Sequence, residues 1–133
     1  MNLTHSLNDD LKTAPVFEIE KALNRVHNKK DLLKRVIDIF VKSLSERINA
    51  IEKELEQQNW EALGTLAHSI KGSSWTIGAQ QLGNIAYAME KAAGDKNLHL
   101  FRELVQLFQS SVQRFLDFEK NLNNLTSESS SIR

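Results

Sequence analysis

The stretch LKRVIDIFVKSLSERINAIEKEL, residues 33–55, decides how the rest of the chain is read. Its apolar side chains fall at Leu33, Val36, Ile37, Phe40, Leu44, Ile48, Ile51 and Leu55, mostly three or four residues apart, and no glycine or proline interrupts them. Such spacing draws one apolar stripe along a long helix that must be covered by other helices. Upstream, residues 16–26 read as a short helix, with His27-Asn28-Lys29 as its exit. Downstream, Asn59 is a candidate N-cap for a helix that carries His68 and stops near Gly78. A further helix is expected over 79–93, with Leu82, Ile85, Ala86, Met89 and Ala93 inward. Gly94-Asp95-Lys96-Asn97 reads as a turn, with Gly94 at the C′ position and Asn97 capping the last helix. That helix has Phe101, Leu104, Val105, Phe108, Val112, Phe115, Leu122 and Leu125 on its stripe.

The expected fold class is all-α: an antiparallel up-down four-helix bundle with an additional short N-terminal helical segment packed on one end. The domain reading is an N-terminal segment over 1–15, the bundle over 16–125, and a flexible polar tail over 126–133. The chain holds 17 basic and 17 acidic residues in 133, so its formal charge is zero and a basic nucleic-acid-binding surface is not expected. It has no cysteine, which sets aside disulfides and thiolate chemistry. Nothing approaches the roughly 18 consecutive apolar residues of a membrane span. Residues 1–5 lack the basic region and apolar run of a signal peptide, and a cytoplasmic location is the expectation.

Function is expected at Ala67-His68-Ser69-Ile70-Lys71-Gly72-Ser73-Ser74. Leu63, Leu66, Ala67, Ile70, Ser74 and Ile77 cluster on one side of the helical wheel and must face the core. His68 lies about 140° from that direction, so its ring should reach solvent. Gly64 and Gly72, four residues either side of it, share its face. Glycine inside a helix costs roughly 1 kcal/mol relative to alanine. Two of them beside an imidazole suggest that something large approaches the ring. Lys71, one turn on, can set an ammonium beside a phosphoryl group on that ring. An imidazole keeps a nucleophilic nitrogen near neutral pH, and phosphoryl transfer asks mainly for in-line positioning and charge stabilisation.

The run from His68 to Ser74, continuing through Ile77-Gly78-Ala79 to Leu82, resembles the signature of histidine phosphotransfer (HPt) domains, the four-helix bundles of multistep phosphorelays. The resemblance implies that His68 is the phospho-acceptor, Lys71 the phosphate-stabilising cation and Gly72 the clearance residue. It also implies no cofactor of the chain's own, Mg²⁺ being held by the partner receiver domain. The partners it implies are response-regulator receiver domains and a hybrid sensor histidine kinase, with no nucleic acid and no membrane, and the chain acting as a monomer. Some members place a glutamine on the following helix that bonds the histidine ring. Here the matching residue is Glu90, which either orients one ring nitrogen or, because it would repel phosphate, points away. Gly64, Trp75 and Glu90 are candidate partner-binding residues. For Trp75 the competing reading is an indole packed sideways against a neighbouring helix.

Other residues carry less. Trp60 reads as core or helix-start packing, and Ser69, Ser73 and Ser74 as small packing residues with no base to activate them. His5, His27 and His99 show no metal-ligand spacing. Lys71-Gly72-Ser73-Ser74 lacks the order of a nucleotide phosphate loop, so ATP-driven autophosphorylation is not expected. A sensor-kinase dimerisation domain would have an acidic residue after the histidine and a proline soon after. Ser69 follows here and the only proline is Pro15. A helical adaptor without phosphate chemistry is the rival from another class. The chain is therefore expected to be a phosphocarrier rather than an enzyme.

Overall fold

The structure, a computed structural model, describes residues 11 and 13–131, with side chains as far as residue 120. Its described elements are α1 (Ile19–Arg25), α2 (Lys30–Glu56), α3 (Trp60–Ile77), α4 (Gln80–Gly94) and α5 (Leu98–Ser131). The connections between α2 and α5 are two or three residues long, which forces consecutive helices to run antiparallel side by side. Gln109 on α5 donates to Glu52 on α2 at 3.3 Å, and the Phe40 and Phe115 rings meet edge-on at 5.6 Å, so the fourth long helix closes back on the first. The all-α up-down bundle expected from the periodicity is what forms.

The inward faces follow the stripes. Leu33, Ile37, Phe40, Leu44 and Ile51 of α2 meet Leu63, Ala67, Ile70 and Ile77 of α3 in one buried cluster, with Leu82, Ile85 and Met89 from α4. Phe101, Phe108 and Phe115 from α5 complete it, each fully buried and contributing roughly 1.5–3 kcal/mol. Val36, placed on the inward stripe by its spacing, is instead half-exposed, as is Leu32, and Ile39 is 69% exposed. The reason lies in α1: with only seven residues it cannot cover the outer flank of α2. A groove of about 420 Å³ remains there, lined by Val26, Val36, Ile39, Arg47 and Thr76.

Caps set the helix ends. Asn59 accepts from the Ala62 N–H at 3.4 Å and Asn97 from the Leu100 N–H at 3.1 Å, as N-caps do. Gly78 ends α3 with φ 90°, a left-handed turn that glycine tolerates without a Cβ penalty. Its carbonyl accepts from the Glu18 N–H at 2.8 Å, and Arg25 donates to the Thr76 and Trp75 carbonyls, tying α1 to that end. One turn departs from expectation. Gly94 is the last helical residue of α4, and Lys96 takes the left-handed φ of 53°. The chain exits two residues later than a glycine C′ would dictate.

The described part of the N-terminal segment does sit on one end of the bundle. The Pro15 carbonyl accepts from the Gln81 N–H at 2.9 Å, the Ala14 carbonyl from the Gln81 side-chain amide at 3.2 Å, and the Phe17 ring packs tilted against Phe115 with centres 5.3 Å apart. Residues 1–10, and His5 among them, lie outside the described residues. At the other terminus α5 runs on to Ser131, where polar composition alone suggests a frayed tail from residue 126; no glycine or proline interrupts the helix there.

Candidate functional site

His68 projects from the middle of α3 with its side chain 66% exposed, on the flank opposite Leu63, Ala67 and Ile70. Antiparallel packing of α3 on α4 brings Glu90 beside it. The ring Nδ1 lies 2.8 Å from Glu90 Oε2, and Lys71 Nζ lies 2.8 Å from Glu90 Oε1. Of the two readings of Glu90, the carboxylate turned toward the ring is the one the backbone produces. An ionised carboxylate can only accept, so Nδ1 is the donor, and in the neutral ring Nε2 keeps its lone pair. The Lys71 hydrogen bond above all holds the Glu90 carboxyl below the ordinary value of 4.5. Partial desolvation opposes it, and the His68 hydrogen bond and the Lys71 charge add to it. The carboxylate therefore stays charged at neutral pH.

Lys71 is not a free arm. Its side chain is only 16% exposed, and its ammonium lies 5.2 Å from the Tyr87 ring centre and 5.8 Å from that of Trp75. Trp75 itself lies sideways on α4, with its indole N–H donating to Asn84 at 3.0 Å and its outer edge open to solvent. It occupies a slot over Gly83, where any Cβ would fall 2.0 Å from the indole. Gly72 faces open space, with nothing within 4 Å of where a Cβ would stand. Gly64 lies against Ala93, and with Trp60, Thr65 and Gly94 it lines a hollow of about 360 Å³ reaching His68 and Glu90. Trp60 also packs edge-on against Phe101 at 6.2 Å. Ser73 accepts from Arg47 at 3.2 Å and donates to the Ser69 carbonyl, while Ser74 is buried.

His68, Lys71 and Glu90 thus meet in one cluster, with Trp75 at its edge, Gly64 in the adjoining hollow and Gly72 on the open side. Tyr87 and Gly83 join it without having stood out in the sequence. Both share a face of α4 with Glu90, at intervals of three and four residues, so a helical wheel drawn through Glu90 finds them. His27 lies in a turn and His99 pairs with Glu103, both away from this cluster. Among the described residues no group of three or more His, Cys, Asp or Glu side chains could hold a metal ion.

The Hpt domain profile matches residues 35–118, well over half of the chain and the whole of the cluster. The chain belongs to the Hpt domain family. Histidine phosphotransfer within phosphorelay signalling is accordingly its function. Solved structures of similar shape agree on the fold. The histidine-containing phosphotransfer protein MtHPt2 from Medicago truncatula superposes with a TM-score of 0.78 at 20% identity, covering 98% of this chain and 95% of that one. A rice protein described as a putative histidine-containing phosphotransfer protein gives 0.72 at 18% identity, over 96% of this chain and 98% of its own. Maize ZmHP2 gives 0.69 at 16%, over 98% and 99%. No curated protein sequence matches the chain. The Hpt domain here has no described helix long and apolar enough to cross a membrane.

Proposed function

We propose that His68 is the phosphoryl acceptor of this Hpt domain and reacts through Nε2. The observation that carries the reading is the 2.8 Å bond from Nδ1 to Glu90 on an otherwise exposed ring, which fixes the tautomer and leaves Nε2 as the nucleophile. Nε2 attacks the phosphorus of an aspartyl phosphate on a receiver domain. The N–P bond forms as the P–O bond breaks, and the aspartate carboxylate leaves with the electron pair. The Nδ1 proton stays in place, so the phosphorylated ring is cationic and the Glu90 carboxylate balances it. Reversal toward a second receiver uses the same geometry.

Lys71 offers its ammonium to the phosphoryl oxygens, exchanging part of its bond to Glu90 for them. Gly72 leaves the approach to the ring unobstructed, and Gly64 and Trp75 border the surface that the partner covers. The exposed Val36 and Ile39, which line a groove with Ser73 and Thr76 of α3, are the kind of apolar patch a docking domain buries. The protein acts as a phosphocarrier rather than an enzyme, as a cytoplasmic monomer between a hybrid sensor kinase and receiver domains. Mg²⁺ belongs to the receiver. Incubation with a phosphorylated receiver domain tests this: label should appear on the protein as an acid-labile, base-stable adduct. Equal labelling of a folded His68→Gln variant would sink the assignment.

A further inference from the structure

Lys71 is surrounded in a way that its pairing with Glu90 does not require. Two aromatic rings stand within 6 Å of its ammonium, the distance at which a ring face attracts a cation. Those rings also touch one another, with centres 6.1 Å apart and planes tilted by 56°. The arrangement is anchored from α4. The indole sits where a side chain on Gly83 would otherwise be, and its N–H is held by Asn84, which also accepts from Gln80 at 3.2 Å. Tyr87 in turn takes Lys91 over its ring at 4.7 Å, so the ring carries two ammonium groups along one seam.

We propose that Trp75 and Tyr87 form an aromatic cradle that positions the Lys71 ammonium for the phosphoryl group on His68, with Gly83 as the slot that seats the cradle's indole. The inference rests on His68 being the acceptor. A free lysine has many rotamers to lose when it takes a phosphoryl oxygen. The cradle removes most of that freedom in advance, and unlike a second carboxylate it adds no negative charge that would repel phosphate. Trp75 and Tyr87 are positioning residues: they act through Lys71 and touch no reacting atom.

The test is a double-mutant cycle on the full chain, reading the rate at which His68 is loaded by phosphoramidate. Tyr87→Leu should slow loading about fivefold, the order of a partly desolvated cation–ring contact. Tyr87→Phe, which keeps the ring, should restore it. In a Lys71→Ala background Tyr87→Leu should have no further effect, because the residue it positions is gone. Trp75→Leu, removing the other wall, is read in the same cycle, and helix content by circular dichroism shows which variants are folded. Wild-type loading by Tyr87→Leu and Trp75→Leu, or equal slowing by them with and without Lys71, overturns the cradle. If the wild-type protein takes no phosphoryl group at all, the assignment of His68 fails first, and that outcome is distinct.

Discussion

Gln81 and Glu90 sit about two and a half turns apart on α4, and each is an acceptor on which two side chains of a neighbouring helix converge. At one end Gln81 Oε1 accepts from Ser111 at 2.7 Å and from Arg114 at 2.8 and 3.1 Å, both on α5. At the other Glu90 accepts from His68 and Lys71, both on α3. The first junction is buried and its acceptor is neutral; the second is half-exposed and its acceptor is charged. A neutral amide can be sealed inside a bundle without the cost of desolvating a carboxylate, and once sealed it has no reason to exchange partners. A carboxylate at the edge keeps its charge and, on the proposed role of His68, can rebalance when the ring gains a phosphoryl group. One motif, two acceptors on a single helix, thus serves packing at one end and, in the function proposed here, chemistry at the other.

The sharpest way to break this contrast is at the buried junction. Gln81→Ala leaves Ser111, Arg114 and the Ala14 carbonyl short of a partner while keeping the backbone bond to Pro15, and should cost about 2–3 kcal/mol in chemical denaturation. The folded fraction should still load His68 at the wild-type rate. Reduced loading there would mean that the two ends of α4 are coupled. Next in size, Lys71→Ala removes the ammonium proposed to bond phosphate and should slow loading about tenfold while leaving helix content unchanged. Glu90→Gln replaces a charged acceptor by a neutral one, so a slowing of about fivefold is expected in the same assay.

The same substitution has a pH signature. Because Glu90 has its pKa lowered by folding, its charge stabilises the fold above 4.5, and that contribution is lost as pH falls below 4.5 through the folded value. Thermal melts should show wild type losing more stability than Glu90→Gln across that acidic window. Parallel curves would say that the triad contributes nothing to folding. The smallest effect belongs to Ser74, whose buried hydroxyl has no partner among the described residues. Ser74→Ala should raise stability by about 1 kcal/mol and leave phosphoryl loading alone.

Much of this is legible in the chain. Periodicity places the four long helices, and Asn59, Gly78 and Asn97 mark ends that the structure keeps, because caps are local chemistry. The wheel places His68 toward solvent for the same reason. What it cannot place is the partner across the seam. Whether Glu90 turns toward the ring depends on the register of α3 against α4, a tertiary quantity that no spacing within one helix encodes. Trp75 shows the same gap. Its sideways packing is decided by the missing side chain of Gly83, eight residues on and in another helix. Gly94 misleads in the opposite direction: composition suggests a turn, while the backbone puts its left-handed residue at Lys96.

The central claim is that Glu90 holds Nδ1 and leaves Nε2 of His68 to react. It is tested most directly by loading the protein, with its histidines labelled by ¹⁵N, and recording the ring nitrogens by NMR. Phosphorus coupling on Nε2 of His68, with the proton retained on Nδ1, is the expected result. Phosphorus on Nδ1, or on any other histidine, would contradict it.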